Sequence, residues 1–188
     1  MQCKRRTTKL RIPGKLIFRK AELCDAKAIF DFVQNAVNVM IRQKIFQWDE
    51  IYPTYDDFER DIKNGEAFVA EIAENENDFE SRKKIAAVYA LNKECDEAYK
   101  TGNWQYGGDD YIVLHRFCVN PEFQHKGIGL KVCSHILAQA KADGIKAVRL
   151  DVFTQNPYSL RLYEKLGFKT TGFAEWRKGK FLLQEKIL

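Results

Sequence analysis

The 188-residue sequence predicts a single α/β domain built on a mixed sheet, and three observations lead there. The length is that of one generous domain, long enough to bury roughly two-thirds or more of its unfolded surface without a disulfide or metal staple. Hydrophobic residues make up 45% and aromatics 13% without low-complexity bias, which excludes a disordered or fibrous chain. Apolar periodicity then reads β-α-α-β-β-β-α-β-α-β-β, a mixed α/β order with no internal repeat.

Each element has its own signal. Leu16-Ile17-Phe18-Arg19 alternates as a short strand. A helix follows, with Asp25 as its N-cap and Ala28, Ile29, Phe32, Val33, Ala36, Val37 and Met40 at three- and four-residue spacing. Thr54-x-x-Asp57 forms a capping box in its Asp form and opens a second helix that stops at Gly65. Glu66–Ala73 and Lys84–Leu91 read as a hairpin around the polar turn Glu74–Lys83. Asn92–Asp109, with Gly102, Gly107 and Gly108, is a long connection of the kind that carries function or moves. Tyr111–Val119 is a β-rich apolar run closed by Asn120-Pro121. Ile128, Val132, Cys133, Ile136, Leu137 and Ala140 make one helix face that ends at Gly144. Ile145–Phe153 is a buried strand, and Asn156-Pro157 caps and starts a helix that ends at Gly167. Phe168–Trp176 and Phe181–Ile187 are strands around Arg177-Lys178-Gly179-Lys180, and an exposed edge at Phe181–Ile187 would allow a homodimer.

Charge is distributed unevenly. Residues 1–20 hold eight basic side chains and no acid, so the remaining residues carry 23 basic against 26 acidic side chains, and the body is net −3 although the whole is +5. Residues 1–14 are expected to form a flexible basic extension ahead of a domain spanning 15–188. No nucleic-acid-binding pattern accompanies the extension, so no nucleic acid is expected as partner. Five cysteines without a C-x-x-C pair fit free thiols in a reducing compartment, and the three histidines lack zinc spacing, so no metal is expected. No apolar run reaches the roughly 18 residues of a membrane span, and no apolar stretch follows the basic start as in a secretory signal. No membrane association and a cytoplasmic location are expected.

The chemistry-bearing stretch is Gln124-His125-Lys126-Gly127-Ile128-Gly129, between strand 111–119 and a helix. Glycines there let backbone N–H groups approach an anion, and the helix start favours phosphate; an ordinary glycine turn is the plain alternative. Neither the P-loop nor the dinucleotide pattern fits.

With Val119-Asn120-Pro121 ahead of it, Gln124-x-x-Gly127-x-Gly129 resembles the acyl-coenzyme-A loop of the GNAT superfamily of N-acetyltransferases. Asn156-Pro157-Tyr158-Ser159-Leu160-Arg161-Leu162-Tyr163-Glu164-Lys165-Leu166-Gly167-Phe168 is similar to that superfamily's other signature, and the resemblance runs from about Lys15 to Leu188. It implies a largely antiparallel sheet with helices on both faces and parallel, splayed central strands at an acyl-CoA cleft. It implies acetyl-CoA as co-substrate, with Gln124, His125, Lys126, Gly127, Ile128 and Gly129 around the pyrophosphate, the backbone of Phe117, Cys118 and Val119 along the pantetheine, and Asn156 touching the cofactor. Tyr163 would lie near the thioester sulfur; taken alone, it reads as a core tyrosine.

The implied reaction is acetylation of an amine by direct attack in a ternary complex, with a small-molecule acceptor favoured over a protein N-terminus or lysine. A non-catalytic acyl-CoA-binding sensor or scaffold is the competing reading. His115 is a candidate base for its near-neutral titration, although it shares a strand face with Val113 and Phe117 as a core histidine would. Glu50 is the other candidate, with a solvated carboxylate as its plain alternative. Trp48, Tyr52 and Trp104 are candidate walls of an acceptor pocket, or plain core aromatics.

Overall fold

The structure, a computed structural model, describes residues 15–72 and 83–188. The expected extension over residues 1–14, Cys3, and all but the last residue of the polar turn lie outside the described residues. The strands are β1 (Leu16–Lys20), β2 (Ala67–Ile72), β3 (Lys84–Asn92), β4 (Tyr111–Val119), β5 (Ala147–Phe153), β6 (Lys169–Trp176) and β7 (Gly179–Ile187). They form one sheet in the order β1-β2-β3-β4-β5-β7-β6, antiparallel throughout except between β4 and β5. The helices are α1 (Ala26–Arg42), α2 (Tyr55–Lys63), α3 (Ile128–Ala142) and α4 (Pro157–Lys165).

Helices cover both faces. The α1 stripe Ile29, Phe32, Val33, Ala36 and Val37, with Phe58 and Ile62 of α2, packs on Val69, Val88 and Cys118. On the other side Ile128, Val132, Cys133 and Ile136 of α3, with Tyr163 of α4, pack near Ala87, Leu150 and Val152. Each large side chain so buried contributes roughly 1.5–3 kcal/mol. Most local signals hold. Thr54 Oγ1 accepts from the Asp57 N–H at 3.2 Å while Asp57 accepts from the Thr54 N–H at 2.8 Å. Asn156 Oδ1 accepts from the Ser159 N–H at 3.1 Å ahead of α4. Asp25 does not cap α1 with its side chain: the carboxylate accepts from the Glu22 N–H at 2.7 Å and pairs with Arg19.

The expected edge strand is corrected. Phe181–Ile187 is not an edge: β7 lies between β5 and β6, so the described sheet ends at β1 and β6. The long connection after β3 contains a 3-10 turn at Glu97–Thr101 and is tied down by an ion pair beneath it. Arg149 and Glu185 face each other across β5 and β7, Nε to Oε1 at 3.0 Å, with side chains only 7% and 1% exposed. Arg149 also donates to the Tyr106 carbonyl at 2.6 Å, and Glu185 accepts from the Gln105 N–H at 2.7 Å. A buried ion pair holds only when its remaining hydrogen-bonding capacity is met, and the connection supplies those partners.

The feature that makes room for a site is the parting of β4 and β5. They pair only over Tyr111–Val113 against Ala147–Arg149. Farther on, Val88 faces Cys118 but Ala90 faces His115, so Arg116 and Phe117 together oppose Tyr89. Arg116 has φ +48°, a left-handed conformation, and such a bulge bends and twists its strand. The strain in Arg116 is held by a bidentate ion pair with Asp61 of α2, whose side chains are 8% and 2% exposed.

Candidate active site

Two adjoining chambers open where β4 and β5 part. The first, a slot of about 330 Å³, runs between β4, the loop ahead of α3 and the start of α4. The second, about 420 Å³, lies toward the β6–β7 turn and the Glu97–Thr101 segment. Gln47, Trp48, Phe117 and Ser159 line both, so the segment between α1 and α2 separates and roofs them.

The slot is built by local backbone geometry. His125 has φ +59° and Gly127 φ +77°, and the N–H groups of His125, Lys126 and Gly127 have no acceptor among the described residues. The first N–H groups of α3 are also free, as they are in any helix. Such a turn of alternating handedness at a helix start concentrates N–H groups on one concave surface, where an anion is stabilised. The Gln124 side chain braces this loop by donating to the Val119 carbonyl at 3.1 Å. Gly129 faces Leu162, Val119 and Phe117 across the slot, where a Cβ would lie about 3.5 Å from Leu162, in ordinary contact. Beyond Val113, β4 has no β5 neighbour, so Phe117–Val119 border the slot along an open strand side.

Gly127→Ala is expected to lower stability by about 1 kcal/mol, seen as a lower urea midpoint. A Cβ there meets nothing within 4 Å, so the effect would be backbone strain alone.

Two residues of the expected cofactor set are engaged within the protein. Lys126 Nζ donates to the Glu122 carbonyl at 2.8 Å and does not line the slot. Asn156 lines it, but its Nδ2 donates to Gln47 Oε1 at 2.9 Å while its Oδ1 caps α4, which ties the roof to the helix.

The second chamber holds the titratable groups. Tyr163 projects from α4 into it, 6% exposed, packed edge-on against Phe168 and with no hydrogen-bond partner for its hydroxyl among the described residues. Burial, and then Cys133 and Asp151 nearby, push this phenol well above its usual range. Asp151 of β5 lines the same chamber and accepts from the Tyr99 hydroxyl at 2.9 Å. Burial raises its carboxyl above the ordinary value; the Tyr99 bond and the Arg116 charge pull the other way, and Asp96 adds to the rise. Asp96 accepts from the Ala98 N–H at 2.8 Å and from Trp176 Nε1 at 3.2 Å. Nothing periodic marks Asp96 or Tyr99 in sequence. Asp151 had one usable signal, a lone acid in a buried strand five residues ahead of the helix cap at Asn156.

Of the residues expected here, His115, Trp48 and Tyr52 line the second chamber. His115 Nε2 lies 3.1 Å from the Glu94 carbonyl, which accepts, so that nitrogen carries the proton. Burial and then the Arg116 charge lower this imidazole to about 4, so it is neutral at pH 7. Glu50 does not join the chamber: it is exposed, and its neighbour Asp49 makes the contacts, taking Arg177 at 2.7 Å and Lys178 at 3.0 Å. Trp104 is also elsewhere, stacked near Tyr99 with Arg149 4.4 Å above its ring and its Nε1 donating to the Tyr99 carbonyl. Trp176 and Phe181 provide aromatic wall in its place.

Among the described residues, no group of three or more His, Cys, Asp or Glu side chains is placed to hold a metal. Cys24, Cys95, Cys118 and Cys133 are free thiols, and no described helix is long and apolar enough to cross a membrane.

Residues 35–168 match the model of the acetyltransferase (GNAT) family. A spermine/spermidine N(1)-acetyltransferase of Bacillus subtilis is 29% identical over 100 residues, 53% of this chain and 60% of that protein. An L-methionine sulfoximine/L-methionine sulfone acetyltransferase of Salmonella typhimurium is 35% identical over 71 residues, 37% of this chain and 42% of the relative. These matches therefore span less than two-thirds of either relative. Among solved structures, a GNAT-family acetyltransferase from Streptococcus agalactiae superposes with a TM-score of 0.79 at 22% identity, covering 92% of this chain and 95% of the other. The acetyltransferase YncA of Salmonella typhimurium, solved with acetyl-CoA, gives 0.59 at 18% identity, covering 92% and 94%. At those identities the likeness is one of fold.

Proposed function

The chain belongs to the acetyltransferase (GNAT) family, and on that premise we propose that it transfers an acetyl group from acetyl-CoA to the amine of a small molecule. The observation that carries this reading is the adjacency of the two chambers, an anion-ready slot opening beside a chamber that holds Tyr163 and Asp151. Residues of the slot fit the co-substrate: free N–H groups at His125–Gly127 suit a pyrophosphate, and the open side of β4 with Gly129 opposite suits an extended amide arm. Acetyl-CoA would supply an acyl group activated as a thioester.

The chain's own residues then have distinct tasks. An alkylammonium with pKa near ~10.4 is neutral in only about one molecule in 2,500 at pH 7, so a proton must be removed before the nitrogen can attack. Asp151 is assigned as the acceptor of that proton, because it lines the chamber beside Tyr163 without an ion-pair partner among the described residues and burial raises its basicity toward that of the amine. His115 has one ring nitrogen engaged with the Glu94 carbonyl and is pushed down to about 4, and Glu50 lies outside the chamber. As the new C–N bond forms and the C–S bond breaks, Tyr163 donates a hydrogen bond to the departing sulfur. A thiol near ~8.5 cannot take the proton outright from a phenol above ~10 without an uphill step of about 2 kcal/mol or more. The raised phenol therefore favours donation without transfer.

A chamber of about 420 Å³ suits a small acceptor better than a folded protein surface. The test is release of free coenzyme A thiol from acetyl-CoA with a panel of small amines. Appearance of thiol and acetylated amine in equal amounts supports the reading; tight binding of acetyl-CoA with no thiol from any amine would leave the sensor alternative in its place.

A further inference from the structure

A third cavity, about 320 Å³, lies on the α3 side of the sheet and shares no lining residue with the two chambers. It opens where the second half of α3 does not close over the strands. Alternation along β1 puts Phe18 and Lys20 on one face, and the register carries the Lys20 row across Phe68 of β2 to Tyr89 of β3. The helix meets this surface with Gln139, Ala140 and Asp143 in place of large apolar side chains, so Phe18, Phe68, Leu91 and Ile112 stay only half-buried.

The walls are aromatic. His135 stacks on Phe18 with ring centroids 3.6 Å apart and planes 13° apart, and Phe68 stacks on Tyr89 at 5.4 Å and 11°. Tyr89 brings a polar group to the interior: the residue is 3% exposed, and its hydroxyl has no hydrogen-bond partner among the described residues. Gln184 Oε1 is the one sealed side-chain polar atom left unpartnered there, so the Tyr89 hydroxyl borders open space. Burial, and then Cys133, push this phenol above its usual range, so it meets an occupant as a donor. Charge in the lining is balanced. Arg19 is engaged by Asp25 and Glu71, exposed Lys20 and Asp143 are opposite in sign, and burial lowers His135, which is neutral at pH 7.

We propose that this cavity is a second ligand site, for an uncharged aromatic compound that presents a carbonyl or ring-nitrogen acceptor to the Tyr89 hydroxyl. It stands independently of the acetyl-transfer reading. A hydrocarbon that displaced water would leave the phenol proton unpaired, and a ligand that only donates would do the same. A carboxylate would exchange its hydration for a single hydrogen bond, with Lys20 offset by Asp143. A flat ring extends the two stacked pairs in the geometry aromatic groups favour. An apolar cavity of ~150 Å³ already admits benzene, so the space suffices for one substituted ring or a fused pair.

The test titrates three probes into the ¹⁵N-labelled protein: acetophenone, ethylbenzene as its counterpart without an acceptor, and benzoate as its anionic one. Acetophenone is expected to bind about tenfold or more tighter than either, moving the amide signals of Ile136 and Ala140. In Tyr89→Phe, which keeps the ring, its affinity should fall to that of ethylbenzene. Gln139→Trp, at an exposed position in the lining, should block the mouth and abolish binding. Equal affinities for acetophenone and ethylbenzene, tighter binding of benzoate, or no binding of any probe would overturn the proposal. So would binding unchanged in either variant, or shifts centred on the Gly127 slot. Should Tyr89→Phe not fold, the order of the three probes in the wild type and the Gln139→Trp result still decide.

Discussion

Tyr163→Phe is expected to lower kcat by about 10- to 1,000-fold while changing acetyl-CoA affinity little. The tyrosine ring packs against Phe168 and within the α3-side core, and phenylalanine preserves that packing. What the substitution removes is one hydroxyl that faces the chamber without a partner among the described residues. A group that stabilises sulfur only as it becomes anionic contributes to the transition state and not to ground-state binding, so the loss falls on kcat. Initial-rate kinetics with calorimetric titration of acetyl-CoA separate the two quantities. Because burial raises the phenol, no activity limb near neutral pH should belong to this residue. Unaltered turnover in the variant would remove Tyr163 from the chemistry.

The second large effect is at Asp151. Asp151→Asn is expected to reduce kcat/KM for the amine by about 100- to 10,000-fold and to abolish the acid limb of the wild-type pH profile. The sign follows from burial: the folded-state carboxyl titrates above its ordinary value, so the base is lost by protonation as pH falls through that raised value. Tyr99→Phe takes away a donor that favours the anion and should move the same limb to higher pH. Tyr163, Arg116, Asp96 and Tyr52 also act on this carboxylate and remain in both variants.

Stability should change in the opposite direction. With its folded pKa raised, Asp151 costs nothing below its unfolded pKa; the cost grows as pH rises from that value to the folded one and is constant above it. At neutral pH, Asp151→Asn should therefore melt higher than the wild type, while its advantage disappears in acid. A variant that is both less active and less stable at pH 7 would argue against a destabilised catalytic carboxylate.

Local chemistry was readable from the chain wherever cause and effect lie a few residues apart. The Thr54–Asp57 box, the Asn156 cap with Pro157 behind it, and the left-handed glycines at 65, 127, 144 and 167 all act on their own turn of backbone. The anion-ready loop belongs to the same class, since its free N–H groups follow from Gly127 and the start of α3. Strand neighbours were less legible. Phe181–Ile187 comes last in sequence and reads as an edge, yet its register with both β5 and β6 places it inside the sheet.

The second chamber was the least legible part, because its groups arrive from distant segments with no periodic pattern. Tyr99 meets Asp151 across 52 positions, and Trp176 meets Asp96 across 80. Trp104 and Tyr99 lie five residues apart, yet Trp104 stacks on Arg149 outside the chamber while Tyr99 lines it. Sequence alone thus established the order of elements, the Thr54 and Asn156 caps and the glycine turn ahead of α3, since each depends on backbone preference within a turn or two. Which acids stand beside Tyr163 was decided in three dimensions. The Arg116 bulge and the three-residue pairing of β4 with β5 open the sheet there, and only the packing around that opening determines which side chains enter it.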